Sequence, residues 1–251
     1  MYVVILILLF IIFAFFPTPQ ISESFSAPIN FKYPTYIINL SETQEGRRRW
    51  PIINNIYPYA KRWPAVYGKT YNFNPYYGKV ITPEWDMGLW KNGKSKIVPM
   101  SDGEKGVAMS HYHLWKKIAQ SSQPHVILED DAIEHNKYAQ QILEDIYANM
   151  PKDFDLYLLG YIDLEPTDTK SKNARVKQFV LLHSYIITPK GAQKLLEKLP
   201  INMPVDSWLS SLTDDVKIYR HNYGKMMKKG YFGLVIKQKR NEKQIVNTNI
   251  I

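Results

Sequence analysis

The chain has 251 residues, enough for one core of ordinary domain size behind a short N-terminal segment. Its 32 Lys and Arg residues against 23 Asp and Glu residues give a formal net charge of +9. A positive chain can attract anionic substrates or membrane surfaces, although solvated surface lysines give the same balance. Cysteine is absent, which excludes disulfides, thiolate metal sites and a cysteine nucleophile.

The N-terminal segment is an uninterrupted apolar run, Met1–Phe16, and the first charged residue is Glu23. This run is shorter than the roughly 20 residues that usually span a bilayer core. A signal peptide usually has a basic start and a small-residue cleavage site, whereas only Met1 and Tyr2 precede the aliphatic part of this run. We expect an uncleaved single-pass anchor over residues 1–17, a stem over 18–34 and the main domain over 35–251. A cleaved signal segment and a buried core helix are the alternatives.

Short apolar runs alternate with helical periodicity along the main domain. The predicted elements are, in chain order, strands at Thr35–Leu40 and Arg62–Val66, a helix after Ser101, a strand at Val126–Leu128, a helix at Ala139–Met150, strands at Phe154–Gly160 and within Val176–Thr188, a helix at Pro189–Leu199, a turn or short helix at Pro204 and a strand at Val216–Tyr219. The connection Tyr71–Met100 has no clear period. This alternation predicts an α/β fold with a mostly parallel central sheet flanked by helices.

The helix after Ser101 has the clearest start signal, because Ser101 and Glu104 have the spacing of a capping box. Helical spacing then places five residues on one face, namely Val107, His111, Leu114, Trp115 and Ile118. This helix leads directly into the apolar strand that ends in three acids.

Those acids, Glu129, Asp130 and Asp131, directly follow the strand Val126–Leu128. Ligands of α/β sheets bind beyond the carboxyl ends of the strands, and alternate side chains point to opposite sides. Glu129 and Asp131 can therefore share one side, with the hard oxygen ligands that suit Mg²⁺ or Mn²⁺. The alternative is that Asp131 caps a following helix, with Glu134 completing a capping box.

No GxGxxG pattern and no GxxxxGK[ST] pattern occurs, so the sequence supports neither a dinucleotide fingerprint nor a P-loop. Eight stretches, taken in order, instead resemble glycosyltransferase family 25, which includes lipooligosaccharide and collagen galactosyltransferases. The stretches are TYIINL at Thr35–Leu40, the cluster Arg47–Arg49, RWPAVYGK at Arg62–Lys69, GEKGVAMSHYHLWKKI at Gly103–Ile118, VILEDD at Val126–Asp131, FDLYLLG at Phe154–Gly160, SYIITPKGAQKLL at Ser184–Leu196 and PVD at Pro204–Asp206.

The resemblance implies a GT-A-like fold and a metal-dependent, inverting transfer of a hexose, with galactose or glucose favoured. The implied donor is a nucleotide diphosphate sugar, usually a uridine diphosphate sugar, and the acceptor is a hydroxyl of a glycan or glycoprotein. By position, Glu129, Asp130 and Asp131 resemble the family's acidic motif and would hold Mn²⁺ or Mg²⁺. Asp206 resembles the aspartate of the PVD motif, which suggests a general base. Its alternative role is to cap the turn that follows it.

The resemblance also suggests contacts to the nucleotide from Asn39, Arg48 and Arg62, and from the pair Ser110 and His111. Structural or surface roles are the alternative for each of them, and His111 lies on the apolar helix face, where a packed core histidine is expected. We expect a lumenal or extracytoplasmic main domain, attached to the membrane by the N-terminal segment. Nucleic acid is not an expected partner, because the basic residues are dispersed and no binding module is present.

One departure from the family pattern is Tyr67, which stands where the family usually has Asp. If that acid helps to hold the donor, its loss favours a second hypothesis, a catalytically silent protein that still binds a glycan or nucleotide sugar. A glycoside hydrolase is a third hypothesis, which requires paired carboxylates about 5 to 10 Å apart across a sugar. The clustered acids after Leu128 suit a metal better than they suit that arrangement.

Overall fold

The computed structural model describes residues 28–88, 93–135, 138–165, 171–222 and 236–237. The predicted anchor and most of the predicted stem lie outside these residues, so both stay predictions. Within the described ranges, no helix combines the length and apolar character needed to cross a membrane. Residues at the end of the predicted stem pack on the domain, since Ile29 is buried and its backbone N–H donates to the carbonyl of Ile56 at 3.0 Å.

Strands and helices alternate along the described chain. The strands are β1 (Thr35–Asn39), β2 (Lys61–Pro64), β3 (Glu84–Asp86), β4 (Ile97–Pro99), β5 (His125–Glu129), β6 (Glu134–His135), β7 (Leu156–Asp163), β8 (Asn173–Arg175), β9 (Phe179–Ile187), β10 (Ile218–His221) and β11 (Ile236–Lys237). The helices are α1 (Gln44–Ile56), α2 (Asp102–Ile118), α3 (Ala139–Asn149), α4 (Pro189–Glu197) and α5 (Val205–Ser211), with a 3₁₀ turn at Asn74–Tyr76.

The central sheet has seven strands in the order β2-β1-β5-β9-β7-β10-β8. Strand β1 pairs in parallel with β2 and β5, and β10 pairs in parallel with β7. Strand β9 is antiparallel to both β5 and β7, and β8 is antiparallel to β10. Five of the seven strands therefore run in one direction, which confirms the predicted α/β fold with a mostly parallel sheet.

Helices cover both faces of this sheet. One core layer joins the sheet to α2, α4 and α5, and Trp115, Leu195 and Trp208 are among its buried side chains. The other layer joins the sheet to α1 and α3 through Ile53 and Leu143. The carboxyl ends of β1 and β5 lie at one edge of the sheet, between the starts of α1 and α2, and this edge carries the acids.

Several local predictions are confirmed and others are corrected. Ser101 and Glu104 form the predicted capping box of α2, with the Ser101 Oγ accepting from the Glu104 N–H at 3.2 Å. Val107, predicted for the buried face, is 40% exposed. The alternative that Asp131 caps a helix is wrong, because the residues after it form β6 and α3 begins only at Ala139. The connection Tyr71–Met100, in which the sequence has no clear period, contains the antiparallel pair of β3 and β4.

Candidate active site

A cavity of about 350 Å³, here called the first cavity, lies at the carboxyl edge of β1 and β5. Its walls come from four separate parts of the chain: the start of α1, the loop Ala65–Lys69 after β2, the start of α2, and the three acids after β5. Glu129, Asp130 and Asp131 all line it. The sheet thus brings together motifs that lie up to about ninety residues apart in the chain, as Asn39 and Asp130 illustrate by their direct contact.

Asp130 points toward α1, away from α2. One carboxylate oxygen accepts from the Arg49 guanidinium at 2.9 Å, and the other accepts from the Asn39 Nδ2 at 2.7 Å and from the Leu40 N–H at 3.3 Å. Its side chain is 13% exposed. The carboxylate is therefore paired and hydrogen-bonded by the protein itself, and the role of Asp130 as a metal ligand stays a prediction.

Asn39 and Arg62, predicted to contact the nucleotide, support this arrangement. Asn39 is fully buried, and its Nδ2 also donates to the Gly46 carbonyl at 2.8 Å. Its Oδ1 accepts from the Arg62 guanidinium, whose carbon lies 4.8 Å from the centre of the Trp50 ring. The Asn39 side chain thus joins β1, α1 and Asp130, and it presents no exposed atom to a ligand in this conformation.

The predicted arginine Arg48 points away from the acids. It is 62% exposed and pairs with Glu45 at 2.7 Å. Its neighbour Arg49 lines the first cavity and forms ion pairs with both Glu45 and Asp130 at 2.9 Å. Sequence reasoning noted the arginine cluster but named Arg48, which does not line the first cavity, and the nucleotide contact of Arg48 stays a prediction. The helical phase could have found Arg49, since Glu45 and Arg49 are four residues apart on one face of α1.

Glu129 points to the opposite face, toward α2. Its side chain is 24% exposed, and its Oε1 lies 3.5 Å from the Nε2 of His111. Burial, followed by the charge of Asp131, raises the pKa of Glu129 to about 8. Among the described residues, no group of three or more His, Cys, Asp or Glu side chains is arranged to hold a metal ion. Glu129 and Asp131 both line the first cavity, and their role as metal ligands stays a prediction.

His111 is a packed core histidine. It is 2% exposed, and burial lowers its pKa to about 4, so it is neutral near pH 7. The Tyr185 hydroxyl lies 2.8 Å from the His111 Nδ1 and accepts from the Trp115 Nε1 at 2.8 Å. This chain is satisfied when Tyr185 donates to Nδ1, which leaves the ring proton on Nε2, facing Glu129.

Ser110 fixes the loop that carries Tyr67. Its hydroxyl accepts from the Val66 N–H at 2.8 Å and donates to the Gly106 carbonyl at 2.7 Å. The loop lies so close to α2 that a Cβ on Gly68 would fall 1.8 Å from the carbonyl oxygen of Asp102. Glycine is thus required at this contact. Ser110 acts by holding the wall of the first cavity, and Tyr67, at the position of the family's Asp, lines that wall.

A second cavity of about 220 Å³ adjoins the first. Glu129 and Val107 line both cavities. Asp206 lines the second, where its Oδ2 accepts from the Leu181 N–H at 2.8 Å and its Oδ1 accepts from the Ser207 N–H at 2.8 Å. Pro204 occupies the N-cap position of α5, and Asp206 lies in the first turn, where its bond to the Ser207 N–H satisfies one helix donor. Asp206 therefore contacts the start of the turn as the capping alternative expects, although not from the N-cap position.

Several known proteins are similar in sequence to this chain. The Xenopus laevis procollagen galactosyltransferase 1-B is 27% identical over 218 residues, covering 78% of this chain and 34% of that protein. An Aedes aegypti glycosyltransferase 25 family member is 32% identical over 122 residues, covering 44% of this chain and 20% of that protein. A Rattus norvegicus "probable inactive glycosyltransferase 25 family member 3" is 26% identical over 126 residues, covering 46% of this chain and 22% of that protein.

The chain spans about a third of the length of the procollagen galactosyltransferases that it matches. The model of the family described as "Glycosyltransferase family 25 (LPS biosynthesis protein)" matches residues 32–209. The matched range includes β1, the first residue of each helix from α1 to α5, the three acids and the residues that line both cavities. It covers well over half of the chain. The chain therefore belongs to glycosyltransferase family 25.

Proposed function

We propose that this chain transfers a hexose, with galactose or glucose favoured, from a uridine diphosphate sugar to a hydroxyl of a glycan or glycoprotein, with inversion at the anomeric carbon and on a GT-A-like fold. The observation that carries the proposal is the first cavity, which gathers the acids, Arg49 and the loop Ala65–Lys69 at the carboxyl edge of the sheet. Ligands of α/β sheets bind at this edge. The names of the relatives, procollagen galactosyltransferases, support galactose and a protein-linked acceptor.

Two helix starts support a phosphate-bearing donor. Gly46, in the first turn of α1, and Gly103, in the first turn of α2, both line the first cavity. The first N–H groups of a helix and its dipole favour bound anions. Lys69 lines the same cavity and forms no ion pair in the described part of the chain. These groups support a diphosphate position between two helix starts and the side chain of Lys69.

The donor atoms at Glu129 and Asp131 fit a divalent cation of the magnesium type. Such ions are commonly held by one or two carboxylates together with substrate phosphates, so a site with three protein ligands is not required. When bound, Mn²⁺ or Mg²⁺ would offset charge on the departing nucleotide. Glu129 and Asp131 would hold the ion, Asp130 would keep its contacts to Arg49, and His111 would orient Glu129 from behind.

Binding of uridine nucleotides tests this function directly. We expect UDP and a UDP-hexose to raise the melting temperature of the full chain in the presence of Mn²⁺, because a ligand selective for the folded state stabilises it. Asp131→Asn should reduce this metal-dependent shift, and incubation with UDP-hexose should release UDP. The matched control is Asp214→Asn, a change outside both cavities. Failure of all uridine and guanosine diphosphate sugars to bind would contradict the proposal.

A catalytically silent nucleotide-sugar-binding protein is the second candidate. Tyr67 favours it, because this side chain lines the first cavity where the family usually has an acid. The similarity to the rat protein whose name includes "probable inactive" also supports this candidate. Nucleotide binding without release of UDP from any donor, with water or an added acceptor, would distinguish the silent protein from the transferase.

A further inference from the structure

The second cavity has the place and size of a subsite for a single group. It meets the first cavity at Glu129 and Val107, so a ligand in one cavity can touch a ligand in the other. Its volume of about 220 Å³ is below the roughly 300–1,000 Å³ of pockets that hold drug-sized ligands. It can therefore admit one sugar residue or one side chain, next to the end of a donor in the first cavity.

The lining of the second cavity has a distinct charge. Its carboxylates are Glu104, Glu129 and Asp206, and its other described lining residues, such as Leu182 and Val205, are aliphatic or proline. No basic side chain is among the described residues that line it. An anionic ligand would be placed against the charges of Glu104 and Asp206 without a compensating cation among the described lining residues, which disfavours its binding. Uncharged and cationic ligands have no such penalty.

The wall of this cavity contains a strained residue. Leu181, within β9, has a φ of 56°, a left-handed conformation that is rare for a bulky side chain. The hydrogen bond from its N–H to the Asp206 carboxylate at 2.8 Å holds it there. Strain of this kind persists where the surroundings enforce it and is concentrated at ligand-binding sites.

We propose that the second cavity is the acceptor subsite, that it takes a hydroxyl compound without negative charge, and that Asp206 is a positioning residue that holds Leu181 in the cavity wall. This inference rests on the proposed function, since it needs a sugar donor in the first cavity. The acceptor hydroxyl enters beside Glu129 and forms the new glycosidic bond to the anomeric carbon. The bond from that carbon to the diphosphate breaks, the nucleotide diphosphate leaves with the bonding electron pair, and the hydroxyl proton passes to water.

The first experiment measures acceptor charge. The full chain is incubated with UDP-galactose or UDP-glucose and with methyl galactoside, methyl glucosaminide or methyl glucuronide, and UDP release is followed. We expect the neutral and cationic glycosides to accelerate UDP release and the glucuronide to have no effect. Glu104→Gln should make the glucuronide at least 3-fold more effective relative to the galactoside, because glutamine preserves the capping box while removing a charge. Glu84→Gln, an exposed change outside both cavities, is the matched control.

The second experiment tests the contact between Asp206 and Leu181. Positioning predicts that Asp206→Ala and Leu181→Gly each raise the KM for methyl galactoside at least 5-fold while the affinity for UDP is retained, and that the double variant is no worse than the worse single variant. The opposite result is a large loss of kcat on Asp206→Ala, without a change in KM, that is equal in the wild-type chain and in the Leu181→Gly variant. It would assign Asp206 as the base and overturn the positioning role.

The outcomes separate the two proposals. If the wild-type chain binds no UDP and releases none from UDP-hexoses, the proposed function fails and the acceptor subsite fails with it. If UDP binds but no UDP is released from any donor, with or without a glycoside, the silent protein replaces the transferase and the acceptor subsite fails with it. If the chain releases UDP from UDP-hexoses, and the glucuronide is used as well as the galactoside or no glycoside changes the release, the proposed function stands and the acceptor subsite is overturned.

Discussion

The ion pair between Arg49 and Asp130 provides the sharpest test of the site geometry. Replacing Arg49 by Met leaves the Asp130 carboxylate, 13% exposed, without its cation but with hydrogen bonds from Asn39 and Leu40. At the observed 2.9 Å, the Coulomb attraction is about 6 kcal/mol at an effective dielectric constant of about 20. Removal of the arginine also removes the cost of desolvating it, so the net loss is much smaller than this figure.

Measurements on ion pairs in other proteins give a lower and an upper limit for the net loss in unfolding free energy. Exposed pairs contribute roughly 0.2–1 kcal/mol, and breaking fully buried pairs costs roughly 3–5 kcal/mol. Arg49 is 22% exposed, so we expect Arg49→Met to cost about 2 kcal/mol, between those limits. In a domain of this size, the melting temperature should then fall by about 4–8 °C. Urea denaturation and thermal melting measure the two quantities.

Arg48 provides a matched control one residue away. It is 62% exposed and pairs only with Glu45, so Arg48→Met should cost less than about 0.5 kcal/mol. Asp130→Asn in the Arg49→Met background should recover part of the lost stability, because it removes the uncompensated charge. Equal effects of the two arginine changes, or a double variant less stable than Arg49→Met, would refute the assignment of Asp130 as an internally neutralised acid.

Three further predictions concern the loop, the first strand and the first cavity. Gly68→Ala should lower the melting temperature and abolish UDP-induced stabilisation, because the added Cβ would fall 1.8 Å from the Asp102 carbonyl oxygen; a melt with and without UDP measures both. The sequence Asn39-Leu40-Ser41 is an N-glycosylation sequon, and it should be unmodified even in a secretory lumen, since Asn39 is fully buried; a glycosidase should therefore leave the protein's mass unchanged. Tyr67→Asp should weaken UDP binding without Mn²⁺ at least 3-fold and increase its dependence on Mn²⁺, as titration calorimetry would measure.

The sequence predicted the elements well where a local signal was present. The capping box at Ser101 and Glu104, and the Thr188 cap whose Oγ1 accepts from the Gly191 N–H at 2.9 Å, are local hydrogen-bonding patterns that can be found from residue types alone. The strands β5 and β7 were also predicted from a local signal, because each contains a short apolar run. The antiparallel direction of β9 was not predicted, because strand direction depends on which neighbours a strand finds in the sheet.

The site was predicted in part, and what was missed depended on long-range pairing. The acids after β5 could be placed at the sheet edge because alternation and strand polarity are local properties. The partner of each acid could not be predicted, since Arg49 and Asp130 are 81 residues apart in sequence. Similarly, nothing in the residue types around Leu181 indicates its positive φ, which depends on the carboxylate of Asp206 from another element.

The charge balance of the first cavity explains why a cation belongs in the proposed function. Five acidic side chains line this cavity, those of Glu45, Asp102, Glu129, Asp130 and Asp131, whereas its basic side chains are Arg49 and Lys69. Arg49 is already paired with Glu45 and Asp130. A diphosphate would add negative charge to a surface where burial and Asp131 already raise the pKa of Glu129. Lys69 and two helix starts offset only part of that charge, so a divalent ion between Glu129, Asp131 and the phosphates would turn this repulsion into attraction.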